Sequence, residues 1–482
     1  MTDEARLAWW KPWRWPFAVG LMVFVVSLVF VAFGVRMYFL SLVPAIDVPF
    51  EVAEFIRVAD DIPPEENGGE NYRRANEMYR QELDQLQSQL GQAGIDSMHN
   101  QICSRWADAD ETTRSVVERL LPSLLEWRAG TEKQHGQVTP LAAREYVSMG
   151  LFLTIERSHQ FQSVEGLSRK MVRLAVIEAS RLEEEGDFEG AWRWYRTVYL
   201  NMGHLARRNA LTPRLIGNAL HFMMIDRVVE WAENPNVTPE QLRKARDDVR
   251  ATVKEIGPMS DTLKAEYISF EVGLHRGGWP RDYVALPGTK EWQEFYVPAV
   301  GPLLSIVGEP ELTRRIYRHA LANHLKEIDK PFHETSPQAS AGQSLLFDRP
   351  HQFMEKDELS SAVMIAALNQ SFVAQDIVLL ARFQDVVYRE RALFQLIDVC
   401  LALQLYKREH GQYPETLDHL VPKHLDSVPF DPLDPAGLPI RYRREQSDRA
   451  VLWSIGINHK DDDGDIGWPD QGGKGDLGWK LK

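Results

Sequence analysis

The strongest pattern of hydrophobic and polar positions lies near the N-terminus, where residues 17–35 (FAVGLMVFVVSLVFVAFGV) carry no charge. At a rise of about 1.5 Å per residue, this run forms a helix that covers most of a hydrocarbon core about 30 Å thick. Tryptophans precede the run and Tyr38 follows it, as in the aromatic belts of membrane helices. The pattern predicts an uncleaved transmembrane anchor within residues 1–45. A cleaved signal peptide is the alternative, although its apolar region is normally only about 7–15 residues long.

Basic residues predict the orientation of this anchor. Arg6, Lys11 and Arg14 precede the apolar run, whereas Arg36 and Arg57 follow it. Because the cytoplasmic flanks of membrane helices carry an excess of Lys and Arg, we expect the N-terminus to lie in the cytoplasm. The protein is then a single-pass protein of the cell inner membrane, and the bulk of the chain is extracytoplasmic.

Helical spacing begins after a linker at residues 46–71 that is rich in proline, glycine and acidic residues. In residues 73–90 (RRANEMYRQELDQLQSQL), Met78, Leu83 and Leu86 recur at steps of three to five, which gives one apolar face. Similar segments follow, and Thr238 is predicted to be the N-cap of one of them. The pattern predicts an α-helical domain over residues 72–385.

The segment around Gly186 resembles part of a tetratricopeptide repeat. Gly186 and Asp187 separate two helical segments, and Ala191 is the small residue that would let paired helices approach closely. No second copy of the pattern occurs about 34 residues before or after it. We therefore expect an irregular helical array, with a true repeat domain as the alternative.

Two later stretches have no clear helix or strand periodicity. Residues 257–308 contain many glycines, prolines and aromatic residues, and predict an irregular crossing segment or the wall of a cleft. The Met223, Met224 and Trp231 cluster before them is predicted to pack in the core. Residues 330–353 are polar and predict a loop.

The C-terminal part predicts a helix laid across a small sheet. A long helix is expected from residue 358 to the Gly at 411, with Leu393, Ile397 and Leu401 on one buried face. A short helix (ETLDHLVPKHL), a proline-bounded loop leading into the strand IRYRR, and a second strand (AVLWSIG) follow. Residues 386–482 are therefore expected to form a small antiparallel α/β module.

Composition and charge exclude several protein classes. The net charge of −14 disfavours a nucleic-acid partner, because nucleic acids bind surfaces rich in Lys and Arg. With only Cys103 and Cys400, the chain has no disulfide-rich scaffold and no Cys-rich metal site. Both cysteines are expected to be small buried apolar residues, and a disulfide between them is the alternative.

Catalytic motifs are not apparent in the sequence. It contains no HExxH, no GxSxG, no GxxxxGK followed by Ser or Thr, and no GxGxxG that opens a helix after a strand. A binding role is favoured over catalysis. An enzyme remains an alternative, with a dispersed site between the helical domain and residues 257–308, near Trp279, Asp282 or His319.

Residues 411–466 carry a family resemblance. They read GQYPETLDHLVPKHLDSVPFDPLDPAGLPIRYR and then LWSIGINHKDDDGDI. These stretches resemble the C-terminal half of the major pseudopilin of type II secretion systems. The matching positions are Tyr413, Pro414, Asp431, Pro432, Gly437, Pro439, Tyr442, Ser454, Gly456, Asp465 and Ile466. The N-terminus lacks this family's cleavage signature and its glutamate, so the resemblance does not extend to filament assembly.

The pseudopilin resemblance implies a structural calcium site. The acidic loop of that family binds Ca²⁺, which takes about six to eight oxygen ligands. The residues implied as ligands here are Ser454, Asn458, Asp461, Asp463 and Asp465. Asn458 stands where the family usually has aspartate. A solvated acidic turn is the alternative.

Together these patterns predict a mainly α protein with an N-terminal transmembrane helix, an irregular or repeat-like α-helical body and a small C-terminal α/β module. The whole chain is similar to uncharacterised membrane-anchored bacterial proteins that carry such a module, a likeness that assigns no activity. We expect an extracytoplasmic scaffold or binding protein, associated with a secretion or pilus-like system whose proteins are its partners. The alternatives are a helical adaptor that binds a peptide or protein, and the enzyme described above.

Overall fold

The computed structural model describes residues 11–42, 44–55, 63–101, 105–134, 155–275, 311–335, 372–467 and 475–482. Over these residues the protein is mainly helical, with a three-stranded antiparallel sheet near the C-terminus, and this confirms the predicted fold class at that level. The chain divides into two compact units. One comprises Met1–Pro49, Gly273–His324 and Gln343–Ala381, and the other Phe50–Val272, Leu325–Gly342 and Arg382–Lys482.

The longer elements have these bounds in chain order: α1 Lys11–Leu42, α2 Gly69–Gln101, α3 Glu111–Thr131, α4 Ile155–Glu184, α5 Phe188–Ala206, α6 Leu211–Glu233, α7 Pro239–Ile256, α8 Met259–His275, α9 Glu311–Glu327, α10 Phe372–His410, β1 Arg441–Arg444, β2 Ala450–Ser454 and β3 Leu477–Leu481. Short 3-10 helices occur at Pro64–Glu66, Trp106–Asp108, Phe332–Glu334 and Leu417–Leu420.

Helix α1 lies in the first unit and contains the apolar run. Its side chains are described without a gap over residues 16–31, and the large apolar ones among them are exposed. Among the described residues, no helix is at once long and apolar enough to cross a membrane. In the same unit, Arg315 of α9 donates to the Leu40 carbonyl at 2.8 Å, and His319 Nε2 lies 2.9 Å from the Pro44 carbonyl oxygen.

In the second unit, α4 and α5 form the helical hairpin that the sequence around Gly186 predicts. Gly186 has φ +81°, a left-handed conformation that glycine adopts without a steric cost. Asp187 is the N-cap of α5, and its carboxylate accepts a hydrogen bond from the Gly190 amide at 2.8 Å. Ala191 is fully buried, as expected for close packing of the two helices.

The centre of this body is aromatic. Trp192 of α5 lies 4.9 Å from Trp231 of α6 between ring centroids, and both side chains are buried. Met224 is also fully buried, which confirms that the Met and Trp residues of α6 pack in the core. The next helix, α7, begins with the predicted cap: Thr238 and Gln241 form a reciprocal capping box.

Helix α10 joins this body to the sheet. Its residues Leu393, Ile397 and Leu401 belong to one continuous hydrophobic core that includes Trp192 of α5 and Leu452 of β2. The sequence predicts one buried face for this helix, but Val399, Ala402 and Gln404 on other faces are also buried. Helices and the sheet pack around α10. More of its residues are therefore buried than the spacing of its apolar residues predicts.

The C-terminal sheet has the strand order β1-β2-β3, with both pairs antiparallel. Tyr442 of β1 faces Leu452 of β2, which in turn faces Trp479 of β3. The sequence predicts β1 and β2 but misses β3, because its short segment LGWKL contains a glycine and a lysine. The expected short helix at residues 415–425 is instead a single 3-10 turn at Leu417–Leu420.

Several other expectations are corrected or fall outside the described residues. The start of the stretch 257–308 is not irregular, because Met259–His275 is a helix. Helix α10 runs without a break through residue 386, where the C-terminal module was expected to begin. Cys400 is a free buried thiol whose pKa is raised by burial. Cys103, Trp279 and Asp282 lie outside the described residues.

Candidate functional site

The predicted calcium ligands lie in and beside the loop that joins β2 to β3. Ser454 is the last residue of β2, and its side chain is completely buried. Its hydroxyl donates to Oδ1 of Asp431 at 2.6 Å, and the following Ile455 amide donates to Oδ2 of the same carboxylate at 2.9 Å. Ser454 therefore fixes Asp431 in the protein interior.

Asp461 and Asp463 accept hydrogen bonds from protein groups. Asp461 accepts from the Trp453 indole at 3.0 Å and from Arg441 at 3.3 Å. Burial would raise the pKa of Asp461, but these donors lower it below its ordinary value. Asp463 has φ +57° and a side chain that is 88% exposed, and it pairs with Arg443 at 2.8 Å.

Asn458 and Asp465 shape the loop through a local turn and a contact across the loop, respectively. The Asn458 side chain accepts from the Lys460 amide at 3.1 Å and donates to Asp462 at 3.0 Å. The Asp465 carbonyl accepts from the Asp476 amide at 2.9 Å. The contact from the Lys460 amide to Asn458 is typical of turn-forming Asn residues, whereas the Asp465 contact joins two ends of the loop.

The sequence interpretation did not identify Arg441 as a functional residue, nor the buried carboxylates of Asp431, Asp434 and Asp476. Arg441 contacts Asp431, Asp434 and Asp461 at once, with 2.9 Å to Asp431. Asp476 is completely buried, and its carboxylate accepts from the amides of Asp462 and Gly464 at 3.1 Å and 2.8 Å. The pseudopilin-like Asp-Pro and Asp-Ile positions identified the loop but not these partners.

The described conformation does not fit the implied ligand set. Arg441 and Arg443 engage carboxylate oxygens that Ca²⁺ would need, and Ser454 is committed to Asp431. Among the described residues, no group of three His, Cys, Asp or Glu side chains is placed to hold a metal ion. Calcium binding by this loop stays a prediction of the resemblance, and the described conformation does not support it.

A separate cavity of about 600 Å³ lies in the second unit. Helix α7 lines one wall through Arg250, Val253 and Lys254, and helix α10 lines another through Glu390 and Phe394. This volume is within the usual range of small-ligand sites, about 300–1,000 Å³. The cavity is therefore large enough for a molecule bigger than a few waters.

Two arginines share one carboxylate at one end of this cavity. Arg246 and Arg250 both donate to Oδ1 of Asp398, at 2.7 Å and 2.9 Å. Burial would lower the pKa of Arg250, but the Asp398 carboxylate raises it. Because two positive charges meet one negative charge, this trio carries a net positive charge.

A buried ion pair lies at the other end. Arg214 and Glu390 are 3.1 Å apart, with side chains that are 6% and 4% exposed. Arg214 also donates to the carbonyl oxygens of Gly257 and Pro258, at 3.3 Å and 3.2 Å. Along α7 the chain runs from Arg250 to Gly257, whereas along α10 it runs from Glu390 to Asp398. Arg250 pairs with Asp398, and Arg214 contacts both Gly257 and Glu390. The two helices therefore run antiparallel along the cavity.

Two acceptor atoms of residues that line the cavity have no hydrogen-bond partner within the described part of the chain. They are Oε1 of Glu390 and Oε1 of Gln395, and both atoms are buried. Because both atoms have almost no solvent-accessible surface, a ligand in the cavity does not reach them in this conformation. No Ser, Thr, Cys or His is among the described residues of the lining. The described lining instead carries charged side chains, among them Arg250, Lys254 and Glu390, beside apolar ones such as Val253 and Phe394.

Comparison of the chain with protein-family models, with curated proteins and with solved structures finds no match. The resemblance of residues 411–466 to a pseudopilin therefore stays a prediction. The function has to be argued from the geometry of the two sites.

Proposed function

We propose that this protein is a membrane-anchored, extracytoplasmic binding protein. The observation that carries the binding role is the 600 Å³ cavity, which has charged residues at both ends. Asp426 and Pro429, which follow α10 in the C-terminal part of the chain, also line it.

Helix α1 supports the anchoring role in this proposal. It is continuous over Lys11–Leu42, and its apolar side chains, such as Phe24 and Leu28, are 61% and 51% exposed. Large apolar side chains that are exposed over residues 16–31 favour a nonaqueous environment or a partner. The uncharged run at residues 17–35 is of the length that a bilayer needs.

Membrane fractionation tests the anchoring role. The full chain is expected in the membrane pellet after carbonate extraction, with a C-terminal tag that protease digests in spheroplasts. Phe24→Lys with Leu28→Lys is expected to release the chain, because each charge at the bilayer centre costs about 2.5–3.5 kcal/mol on insertion scales. Tyr38→Lys, at the end of the run, is the matched control and should remain in the membrane. Carbonate-soluble wild type would reject the anchor.

The pseudopilin resemblance motivates the proposal that secretion or pilus-like components are partners. Crosslinking in intact cells, followed by purification of the tagged chain in detergent, tests this association. Enrichment of such components over a tagged, unrelated single-pass protein supports it. Equal recovery with both baits contradicts the association but leaves the cavity's binding role in place.

A further inference from the structure

One face of helix α7 presents two cations to the cavity. Arg250, Val253 and Lys254 occupy positions i, i+3 and i+4 of this helix, and all three line the cavity. The side chain of Arg250 is 40% exposed, and Lys254 is also exposed. Like charges at i and i+4 repel each other, so an anion that contacts both of them is bound favourably.

Both cations have N–H groups that the described residues do not use. Nε and Nη2 of Arg250 donate to Asp398, whereas its Nη1 donates to none of the described residues. Likewise, no hydrogen bond or ion pair within the described part of the chain engages the ammonium group of Lys254. Guanidinium and ammonium groups form their strongest hydrogen bonds with anionic oxygens. This wall therefore suits an anionic group.

The charges around Arg250 indicate how many negative charges the ligand carries. Arg246 and Arg250 share the carboxylate of Asp398, and Lys254 adds a third positive charge. Asp426 also lines the cavity and interacts electrostatically with Arg250. Three positive charges thus meet two negative ones, and a single further negative charge neutralises the group. A carboxylate fits this balance better than a phosphate monoester, which carries about two negative charges.

The cations at the opposite end are already paired. Arg214 lies 3.1 Å from Glu390, and Arg391 lies 3.2 Å from Asp329. Arg391 also donates to the carbonyl oxygen of Lys330 at 3.2 Å. Because protein carboxylates neutralise both arginines, this end does not attract a second anionic group. The anionic group of a ligand is therefore expected at Arg250.

Between the two ends, the accessible lining is apolar. Val253 is 44% exposed, Pro258 is exposed, and Pro429 is half-buried. From Arg250 to Gly257 this wall extends about 10 Å, at about 1.5 Å per residue. A ligand with an apolar chain buries that chain here. Each buried methylene group then tightens binding about fourfold.

We propose that this cavity binds a monocarboxylate with an apolar chain. Its carboxylate accepts hydrogen bonds from Arg250 and Lys254, and its chain lies along Val253 and Pro258. This inference rests on the proposed binding role, because it names the ligand class of the same cavity. It is independent of membrane anchoring.

Ligand-observed NMR titration of the purified full chain in mild detergent, with detergent alone as the blank, tests the proposal. The probes are acetate, butyrate and hexanoate, with hexanol and hexylamine as the uncharged and cationic analogues of hexanoate. We expect saturable binding of hexanoate, at least tenfold tighter than that of either analogue. From butyrate to hexanoate, each added methylene should tighten binding about fourfold.

The probes separate failure of this inference from failure of the binding role. Saturable binding of hexanol or hexylamine that equals or exceeds that of hexanoate would overturn the carboxylate assignment but leave the binding role in place. Equal binding of acetate and hexanoate would show an adventitious anion only, and would also overturn the inference. The absence of saturable binding by all the probes would contradict both the inference and the binding role.

Variants place the binding in this cavity. Lys254→Gln is expected to weaken hexanoate binding about tenfold and to leave hexanol binding unchanged, because only the carboxylate contacts Lys254. Val253→Trp places an indole ring in the cavity and should weaken both at least tenfold; the exposed position of Val253 makes this change compatible with folding. Lys244→Gln, on the same helix but paired with Glu189, is the control and should bind as wild type does. Unchanged hexanoate binding in both cavity variants would reject the site.

Asp426→Asn tests the preference for one negative charge. Hexyl phosphate is the probe, because it carries about two negative charges at neutral pH. Removal of the Asp426 charge is expected to tighten hexyl phosphate at least tenfold and hexanoate by a smaller factor. An equal change for the two ligands, or no change for either, would contradict the charge balance that selects a monocarboxylate.

Discussion

Arg441 on β1 donates to the completely buried carboxylate of Asp431 at 2.9 Å. The same guanidinium contacts Asp434 and Asp461, so one positive charge holds three carboxylates together. Burial would lower the pKa of Arg441, but Asp434 and the other carboxylates raise it. In this module, an arginine supplies the positive charge that the pseudopilin resemblance assigns to a metal ion.

Removal of Arg441 tests its structural importance. Arg441→Met is expected to destabilise the protein by about 3–5 kcal/mol, because it leaves the Asp431 charge buried without its partner. Chemical denaturation followed by tryptophan fluorescence measures the change. Arg443→Met is the matched control: its partner Asp463 is 88% exposed, and such surface pairs contribute only about 0–1 kcal/mol. Equal effects of the two variants would show that Arg441 does not hold the cluster.

Calcium distinguishes the two descriptions of the acidic loop. The resemblance predicts a higher melting temperature in calcium than in a chelator. When the free calcium concentration is 100 times its dissociation constant, binding stabilises the folded protein by about 2.7 kcal/mol. We expect equal melting temperatures, because Arg441 and Arg443 already neutralise Asp461 and Asp463. A calcium-dependent rise that disappears in Asp463→Asn but persists in the Glu445→Gln control, at an exposed position outside the loop, would restore the loop as a metal site.

His221 predicts a dependence of stability on acid. Burial lowers the pKa of His221 to about 3, and its ring stacks on Phe394 with 4.6 Å between centroids. Below pH 6.5 His221 is protonated in the unfolded chain but stays neutral in the folded chain until the pH reaches about 3. The free energy of unfolding therefore falls as the pH decreases from 6.5 to about 3. The contribution is at most about 1.4 kcal/mol per pH unit.

The corresponding measurement is the free energy of unfolding between pH 7 and pH 4 in wild type and in His221→Asn. The variant is expected to be less stable at pH 7, because it loses packing against Phe394, but to have a shallower slope. His419→Asn, at an exposed position, is the control and should leave the slope unchanged. A slope that is the same in all three proteins would contradict the assignment.

Arg408 joins the end of α10 to the end of α6, a segment that is distant in the sequence. Its guanidinium donates to the carbonyl oxygens of Ala232, Glu233 and Asn234 at the end of α6, the last at 2.6 Å. Arg408→Leu removes these charge-assisted bonds, and we expect a loss of about 3 kcal/mol. Arg449→Leu, an exposed arginine, should change stability by no more than about 0.5 kcal/mol. Hydrogen exchange at the end of α6 should quicken only in the Arg408 variant.

Gly68 predicts intolerance to a single methyl group. A Cβ atom there would lie 2.1 Å from the carbonyl oxygen of Gly130, at the end of α3. Gly68→Ala is therefore expected to lower stability by about 1–3 kcal/mol, as overpacking does. Gly203→Ala is the comparison. The new Cβ atom would meet only the Cβ of Glu255, at an ordinary contact distance of 3.5 Å. Gly203 also lies within helix α5, where alanine is favoured over glycine by about 1 kcal/mol. Thermal unfolding should therefore shift down for the first variant and not for the second.

The sequence by itself determined the local elements. Helical spacing, the Thr238 cap and the turn at Gly186 all correspond to helices in the structure, because they depend on hydrogen bonds and side chains within a few residues. The proline-bounded loop and the apolar segment AVLWS were likewise sufficient for β1 and β2. β3 was missed because a strand of this kind is defined by its pairing with β2.

Only the tertiary structure decided which charged groups meet. Arg441 contacts Asp431, and Arg250 of α7 contacts Asp398 of α10, which is 148 positions later in the sequence. No local pattern specifies such partners, because they depend on how helices pack around the largely buried residues 387–405 of α10. The same packing leaves the Glu390 and Gln395 acceptors beside a cavity. Periodicity is a property of neighbouring residues, whereas a site is a property of surfaces brought together by the core.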